Sequence, residues 1–200
     1  MQLRRDMKWG ALILAAGSSS RLGVPKQLLR LEGETLLDRS IRIASEAGCA
    51  PIVVVLGAYE EQIRKECQLK GTLTVSHSNW SEGMGTSLSR GISELPDLSG
   101  VVIMTCDMPA VSADHLRLLV HSGSLTCSYY DGRNGVPGFF PSTFFSALLN
   151  LKGDSGARSL LETAERIPLP GGELDIDTPD DLAIMQRLSP KSNQRCDTSS

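Results

Sequence analysis

In LAAGSSSRLGVPK, Gly17, three consecutive serines and Gly23 follow directly on a short apolar run, and Arg21 and Lys26 accompany them. Small residues let backbone N–H groups approach an anion without obstruction. Two cations so close together can neutralise the charge that collects on a departing pyrophosphate. The spacing is neither GxxxxGKS nor GxxxxGKT, because Lys26 stands between Pro25 and Gln27, and GSSSRLG lacks the GxGxxG of a dinucleotide fold. The loop reads as a phosphate site of another kind, against the alternative of a solvated turn whose cations face water. Asp107 follows the apolar run 101–106, which puts a carboxylate at the C-terminal end of a strand, on the same rim as the loop. Magnesium takes one or two protein carboxylates and fills its other positions with phosphate oxygens and water, so one further acid from a distant segment suffices. Asp177, with Asp175 as the weaker choice, supplies it in ELDIDTPDDL, where both alternate with Leu174 and Ile176 on a short expected strand before a Thr178 cap. Taken alone, Asp107 reads as a turn or helix cap before Pro109. Asp180 and Asp181 read as acids of a helix's first turn, where they favour the positive end of its dipole.

Residues 79–87, NWSEGMGTS, combine glycines and hydroxyls ahead of a helical pattern. They suit contacts with a base or ribose, although helix capping by Thr86 or Ser87 explains nearly as much. Trp80 could stack on a ring, but a lone Trp near a helix start is more often core, and it is left without a role. In GDSGARSLL, Asp154 or Ser155 can cap a helix, and Arg158 can bind an anion or project to solvent. His77, His115 and His121 have no metal-ligand spacing and are assigned to surface or capping positions.

These residues need a scaffold that carries them to one edge. The runs 11–16, 51–56 and 101–106 are short, apolar and bounded by turn formers, as buried parallel strands are, and helical spacing of apolar residues recurs at 35–47, 59–69 and 86–95. Such alternation implies a parallel sheet wrapped on both faces, with ligands where the strands' C-terminal ends open into loops. Beyond Asp107 the pattern loosens into a mixed α/β half: a helix at 113–120, a strand at 126–130, a turn at 131–135, a helix from Pro141 through 150 and another at 178–188. One domain over 1–188 is expected, with a polar, disordered tail at 189–200.

Hydrophobic residues make up 40% and charged residues 22%, which excludes a disordered chain. A net charge of -3 offers no basic field for nucleic acid. The five cysteines lie apart with no CxxC pair, which argues against a disulfide framework or zinc site and fits a reducing cytoplasm. ALILAA is too short for a signal sequence, and no stretch approaches the ~20 apolar residues of a membrane-spanning helix, so a soluble cytoplasmic protein without membrane partners is expected.

LAAGSSSRLGVPKQLL, NWSEGMGTSLSRGI, VVIMTCDMPAVS, GVPGFFPSTFFSALLNLKGDSGARSLL and DIDTPDDL, in that order, resemble the MobA/MocA-like nucleotidyltransferases. Within that family the chain looks closest to molybdenum cofactor cytidylyltransferase. The resemblance implies a three-layer α/β/α, mostly parallel mixed sheet of Rossmann-like, nucleotide-diphospho-sugar transferase (GT-A-like) type. It implies transfer of a nucleotidyl group from a nucleoside triphosphate, CTP before GTP, to molybdopterin, with release of pyrophosphate. Lys26, Arg21 and Asp107 would be catalytic. Ala15, Ala16, Gly17, Ser18, Ser19, Arg21, Lys26, Gly83, Gly85, Ser87 and Asp107 would contact the nucleotide. Asp107 and Asp177 would hold Mg2+, or Mn2+ in its place, and Asp154 and Arg158 would lie on the acceptor side. A molybdoenzyme or its maturation factor would be the protein partner. CDMP stands where the cytidylyltransferases commonly show CDQP, and GVPG where GHP is frequent, so Met108 and Val136 mark departures on the acceptor side. The alternatives are a cytidylyl-, uridylyl- or guanylyltransferase acting on a sugar or polyol phosphate, and a non-catalytic protein that binds or inserts the molybdenum cofactor.

Overall fold

The structure, a computed structural model, describes residues 8–20, 22–154, 156–178, 180, 181, 183 and 184. The first three expected strands form as β1 (Trp9–Ala15), β4 (Ile52–Leu56) and β6 (Gly100–Thr105), and pair in parallel around a central β1. Their side chains are almost wholly buried because both faces are covered, which is why they read as unbroken apolar runs. Between β1 and β4 come β2 (Arg30–Leu31) and β3 (Glu34–Thr35), a small antiparallel pair, and α1 (Leu36–Ala47). The Thr35 hydroxyl accepts from the Asp38 N–H at the start of α1, and Gly48 at φ 94° ends it in the left-handed region.

α2 (Glu60–Glu66) follows β4 and ends earlier than the helical spacing predicts. β5 (Leu73–Ser76), a strand without a clear sequence signal, then extends the parallel half at the edge next to β4. α3 (Met84–Ile92) begins before the expected residue 86, so Ser87 lies inside the helix and buried rather than at its cap. α4 (Ala113–His121) is capped by the Ser112 hydroxyl. β7 (Thr126–Tyr130) and β8 (Arg133–Pro141) form a hairpin whose turn is only Asp131 and Gly132, both at positive φ, tighter than the expected 131–135 loop. β8 runs antiparallel to β6 and carries Pro141 as its last residue. The expected helix after it is a 3-10 turn at Ser142–Phe144 leading into the short α5 (Phe145–Leu149). β9 (Glu165–Pro168) closes the far edge, parallel to β7.

The sheet order is β5-β4-β1-β6-β8-β7-β9, mostly parallel and mixed, with helices on both faces. α1, α2 and α4 bury Leu37, Ile41, Ile63, Leu116 and Leu119 on one face; α3 and α5 bury Leu88, Ile92 and Leu148 on the other. This is the expected three-layer α/β/α class. Among the described residues no helix is long and apolar enough to cross a membrane, and the described cysteines, Cys49, Cys67, Cys106 and Cys127, are free and buried. The expected tail at 189–200 lies outside the described residues.

Candidate active site

The loop after β1 is built from backbone held by side chains. Ser19 takes φ 48°, and its carbonyl accepts from the N–H groups of Leu22 and Gly23. Its hydroxyl accepts from the Lys26 N–H at 3.1 Å, which places Lys26 at the start of a 3-10 turn, Lys26–Leu28. Gln27, 1% exposed, donates from Nε2 to the carbonyls of Ala15 (2.9 Å) and Gly17 (3.0 Å), one amide spanning the bend of the loop. Tyr59 donates to the Ser18 carbonyl at 2.9 Å. The loop rests on the one after β4, where the Ala58 N–H donates to the Ala16 carbonyl and a Cβ on Gly57 would lie 2.6 Å from that same oxygen. Gln27 and Tyr59 were not singled out in the sequence, because their partners are main-chain atoms.

Asp107 emerges buried from the end of β6, with Arg39 of α1 donating to the carbonyls of Pro109 and Val111 in the loop that follows. The Ile176 N–H donates to the Asp107 carbonyl at 3.2 Å and draws residues 173–178 across the rim. Those residues are not the strand their alternation suggests: the N–H groups of Asp175 and Asp177 bond back to the carbonyls of Glu173 and Asp175, a run of tight turns. Ile176 packs with Leu36 under them, and Asp181 accepts from the N–H groups of Asp177 and Thr178 and from the Thr178 hydroxyl. The Asp181 N–H donates back to Thr178, completing a reciprocal cap that fixes the backbone of Asp177.

The Lys26 ammonium then donates to Asp107 Oδ2 and to Asp177 Oδ1, the latter at 3.0 Å. Burial alone would lower its pKa, but the charges and hydrogen bonds of Asp107 and Asp177 outweigh that and raise it above the ordinary lysine value. The group stays cationic. Asp175 is close enough to feel the pair without joining it: burial first, then the Asp107 charge, push its pKa up to about 6, with Lys26 opposing. Asp177, rather than Asp175, is therefore the acid brought to Asp107. Asp107 Oδ1 is buried with no hydrogen-bond partner, an open acceptor. Among the described residues no three His, Cys, Asp or Glu side chains could cage a metal by themselves. Two convergent carboxylates, one with a spare buried oxygen, fit an ion such as Mg2+ that completes its shell with phosphate and water.

A cleft of about 360 Å³ lies between this cluster and the start of α3. Of the expected nucleotide contacts, Ala16, Gly17, Ser18, Lys26, Gly83, Ser87 and Asp107 line it, and Asp154 from the acceptor segment joins them. Ala15 and Ser19 support the loop through the bonds above. Gly85 is buried, and its N–H donates to the Gly153 carbonyl at 2.8 Å, so residues 152–154 close against the head of α3. Trp80, left without a role in the sequence, is half-buried: it packs against the core and forms part of the cleft wall. Arg158 does not reach the cleft: it lines a separate surface groove with Asn134, Glu162 and Arg166. Arg21 lies outside the described residues. His115, expected at the surface, is 6% exposed. Met108 is buried in the core and Val136 packs half-buried against it, so neither departure from the cytidylyltransferase pattern faces the cleft.

Residues 11–167 match the family described as the MobA-like NTP transferase domain. The chain is 31% identical over 195 residues to the purine catabolism protein PucB of Bacillus subtilis, covering 88% of this chain and 95% of that one. It is 30% identical over 162 residues to nicotine blue oxidoreductase of Paenarthrobacter nicotinovorans, covering 75% and 79%. The crystal structure of Rv0371c from Mycobacterium tuberculosis superposes with a TM-score of 0.81 at 30% identity over 90% of this chain and 98% of that one. A structure of the same mycobacterial protein in complex with manganese superposes at 0.77, at 27% identity over 91% and 100%. The chain therefore belongs to the MobA-like nucleotidyltransferase family, with its GT-A-like fold.

Proposed function

We propose that the protein is a molybdopterin cytidylyltransferase that joins CMP from CTP to the terminal phosphate of molybdopterin and releases pyrophosphate. The observation that carries the reading is the convergence of Lys26 on Asp107 and Asp177 at the mouth of the glycine-rich cleft. The backbone N–H groups of the first loop bind the triphosphate, and Lys26 and Arg21 neutralise the charge that moves onto pyrophosphate. An oxygen of the acceptor phosphate attacks the α-phosphorus in line; that P–O bond forms as the bond to pyrophosphate breaks, with no covalent enzyme intermediate. Asp107 and Asp177 hold Mg2+, or Mn2+, which supplies positive charge to the triphosphate oxygens. Gly83 and Ser87 receive the nucleoside, and Asp154 faces the acceptor. Most of the rate enhancement then comes from alignment and charge stabilisation. CTP and molybdopterin follow from the sequence likeness to the cytidylyltransferases. A molybdoenzyme or its maturation factor takes the product, and the reaction belongs to the cytoplasm.

The test is a pyrophosphate-release screen of the four triphosphates against molybdopterin and a panel of sugar and polyol phosphates. Release with CTP and molybdopterin alone supports the reading, and Lys26→Ala and Asp107→Asn are each expected to lose 100-fold or more in kcat/KM. Full turnover in either variant overturns the site. Release with a sugar or polyol phosphate moves the protein to the other transferase reading, and molybdopterin binding without release under any pair makes it a carrier.

A further inference from the structure

Between Asp107 and Asp177 there is already a cation, and it is covalently part of the protein. The Lys26 ammonium donates to one oxygen of each carboxylate, with the lysine side chain 20% exposed and that of Asp107 8% exposed. Any divalent metal arriving alone meets an ammonium already seated on one oxygen of each carboxylate. We propose that Lys26 acts as an internal placeholder that closes the metal carboxylates to free divalent metal until a triphosphate draws its ammonium away, so that metal enters with the nucleotide and not ahead of it. The inference rests on the assignment of Asp107 and Asp177 as the metal pair in the proposed function.

The surrounding structure fits such an exchange. The main chain of Lys26 is fixed by the Ser19 hydroxyl, and the neighbouring Gln27 is clamped to Ala15 and Gly17, so the backbone need not move. Only the flexible lysine stem has to turn, and Lys26 lines the same cleft as Gly17 and Ser18, where phosphate oxygens would offer it new partners. The ammonium is also an incomplete occupant. Asp107 Oδ1 remains buried without a partner, an acceptor that one ammonium does not satisfy and a coordinated ion could. Once the lysine moves to phosphate, the oxygen it held on each carboxylate is released at the moment a metal is needed.

The experiment is a titration of the full chain with Mn2+ alone, without nucleotide, followed by the loss of the free-ion signal in electron paramagnetic resonance. Lys26→Met, and independently Lys26→Gln, should bind Mn2+ at least tenfold more tightly than the unsubstituted protein. Lys26→Arg, which keeps a cation in place, should stay as weak as the unsubstituted protein. The gain should disappear in Lys26→Met/Asp107→Asn. A gain in binding cannot arise from loss of fold, which thermal unfolding checks in each variant. If neither neutral variant binds Mn2+ more tightly, or the double variant keeps the gain, the placeholder role is overturned. The proposed transfer reaction is judged separately, by whether Asp107→Asn still releases pyrophosphate.

Discussion

Gln27 is the residue on which the geometry of the phosphate loop turns. Its amide nitrogen spends both hydrogens on Ala15 and Gly17, while its Oε1 has no partner, so the side chain is there for its donors. Gln27→Leu leaves two carbonyls without that donor at a cost of roughly 1–3 kcal/mol of stability. Because the loop positions the triphosphate rather than reacting, KM for the nucleotide should rise about tenfold with a smaller fall in kcat. Gln27→Glu should be worse near neutral pH, where a carboxylate would face two carbonyl oxygens, and should partly recover as pH falls and the acid gains a proton to donate. Steady-state kinetics of the two variants across pH check this. That Lys26 and Asp107 meet on one rim was legible in the sequence, because the loop after β1 and the residues after β6 both open at the C-terminal edge of the sheet. Gln27 was not, because it holds main chain; Arg158, open in the sequence between an anion contact and solvent, lines a surface groove apart from the cleft.

At the scale of elements, the head of α3 and residues 153–154 close against one another beside the cleft. Gly83 takes φ 113°, a conformation that side chains rarely adopt, and a Cβ there would fall 2.3 Å from the carbonyl carbon of Gly153. Gly83→Ala must therefore push residues 153 and 154 away from the head of α3. It should cost about 1–3 kcal/mol through strain at a special backbone position and raise KM for the nucleotide, whereas the same change at Gly17, with open space around it, should leave stability within about 0.5 kcal/mol. Urea unfolding of both variants separates the two cases. The three central strands β1, β4 and β6 were legible because burial on both faces demands unbroken apolar runs. β8 was not: Gly135, Pro137 and Gly138 interrupt it, and its pairing is imposed by β6 and β7 on either side. Residues 173–178 show the converse, since alternation of polar and apolar residues there serves a turn anchored on Ile176, with no neighbouring strand to pair with.

At the scale of the whole molecule, the antiparallel half of the sheet is fastened to its helical layer through a buried imidazole. His115 of α4 donates from Nε2 to the Ser128 hydroxyl of β7 at 2.7 Å, and Ser128 donates onward to the Pro137 carbonyl of β8 at 2.6 Å; that order of donors requires the Nε2–H tautomer. Burial pushes the pKa of His115 down to about 4, so the folded protein holds it neutral. The unfolded chain takes up this proton near pH 6.5 and the folded one only near 4, so the unfolded state binds more protons between those values and acidification favours it. From pH 7.5 to pH 5 this single group should lower the free energy of unfolding by about 2 kcal/mol, in a range where most carboxylates have not yet begun to titrate. His115→Gln keeps an amide donor and has no proton to gain, so its stability should fall less over the same range, by roughly that amount. Urea melts of both proteins at the two pH values measure the difference, and equal pH dependence would remove His115 as the source. The cleft opens at the ends of β1 and β6, away from this bond, so at pH 7.5 His115→Gln should leave nucleotide binding by the folded protein unchanged.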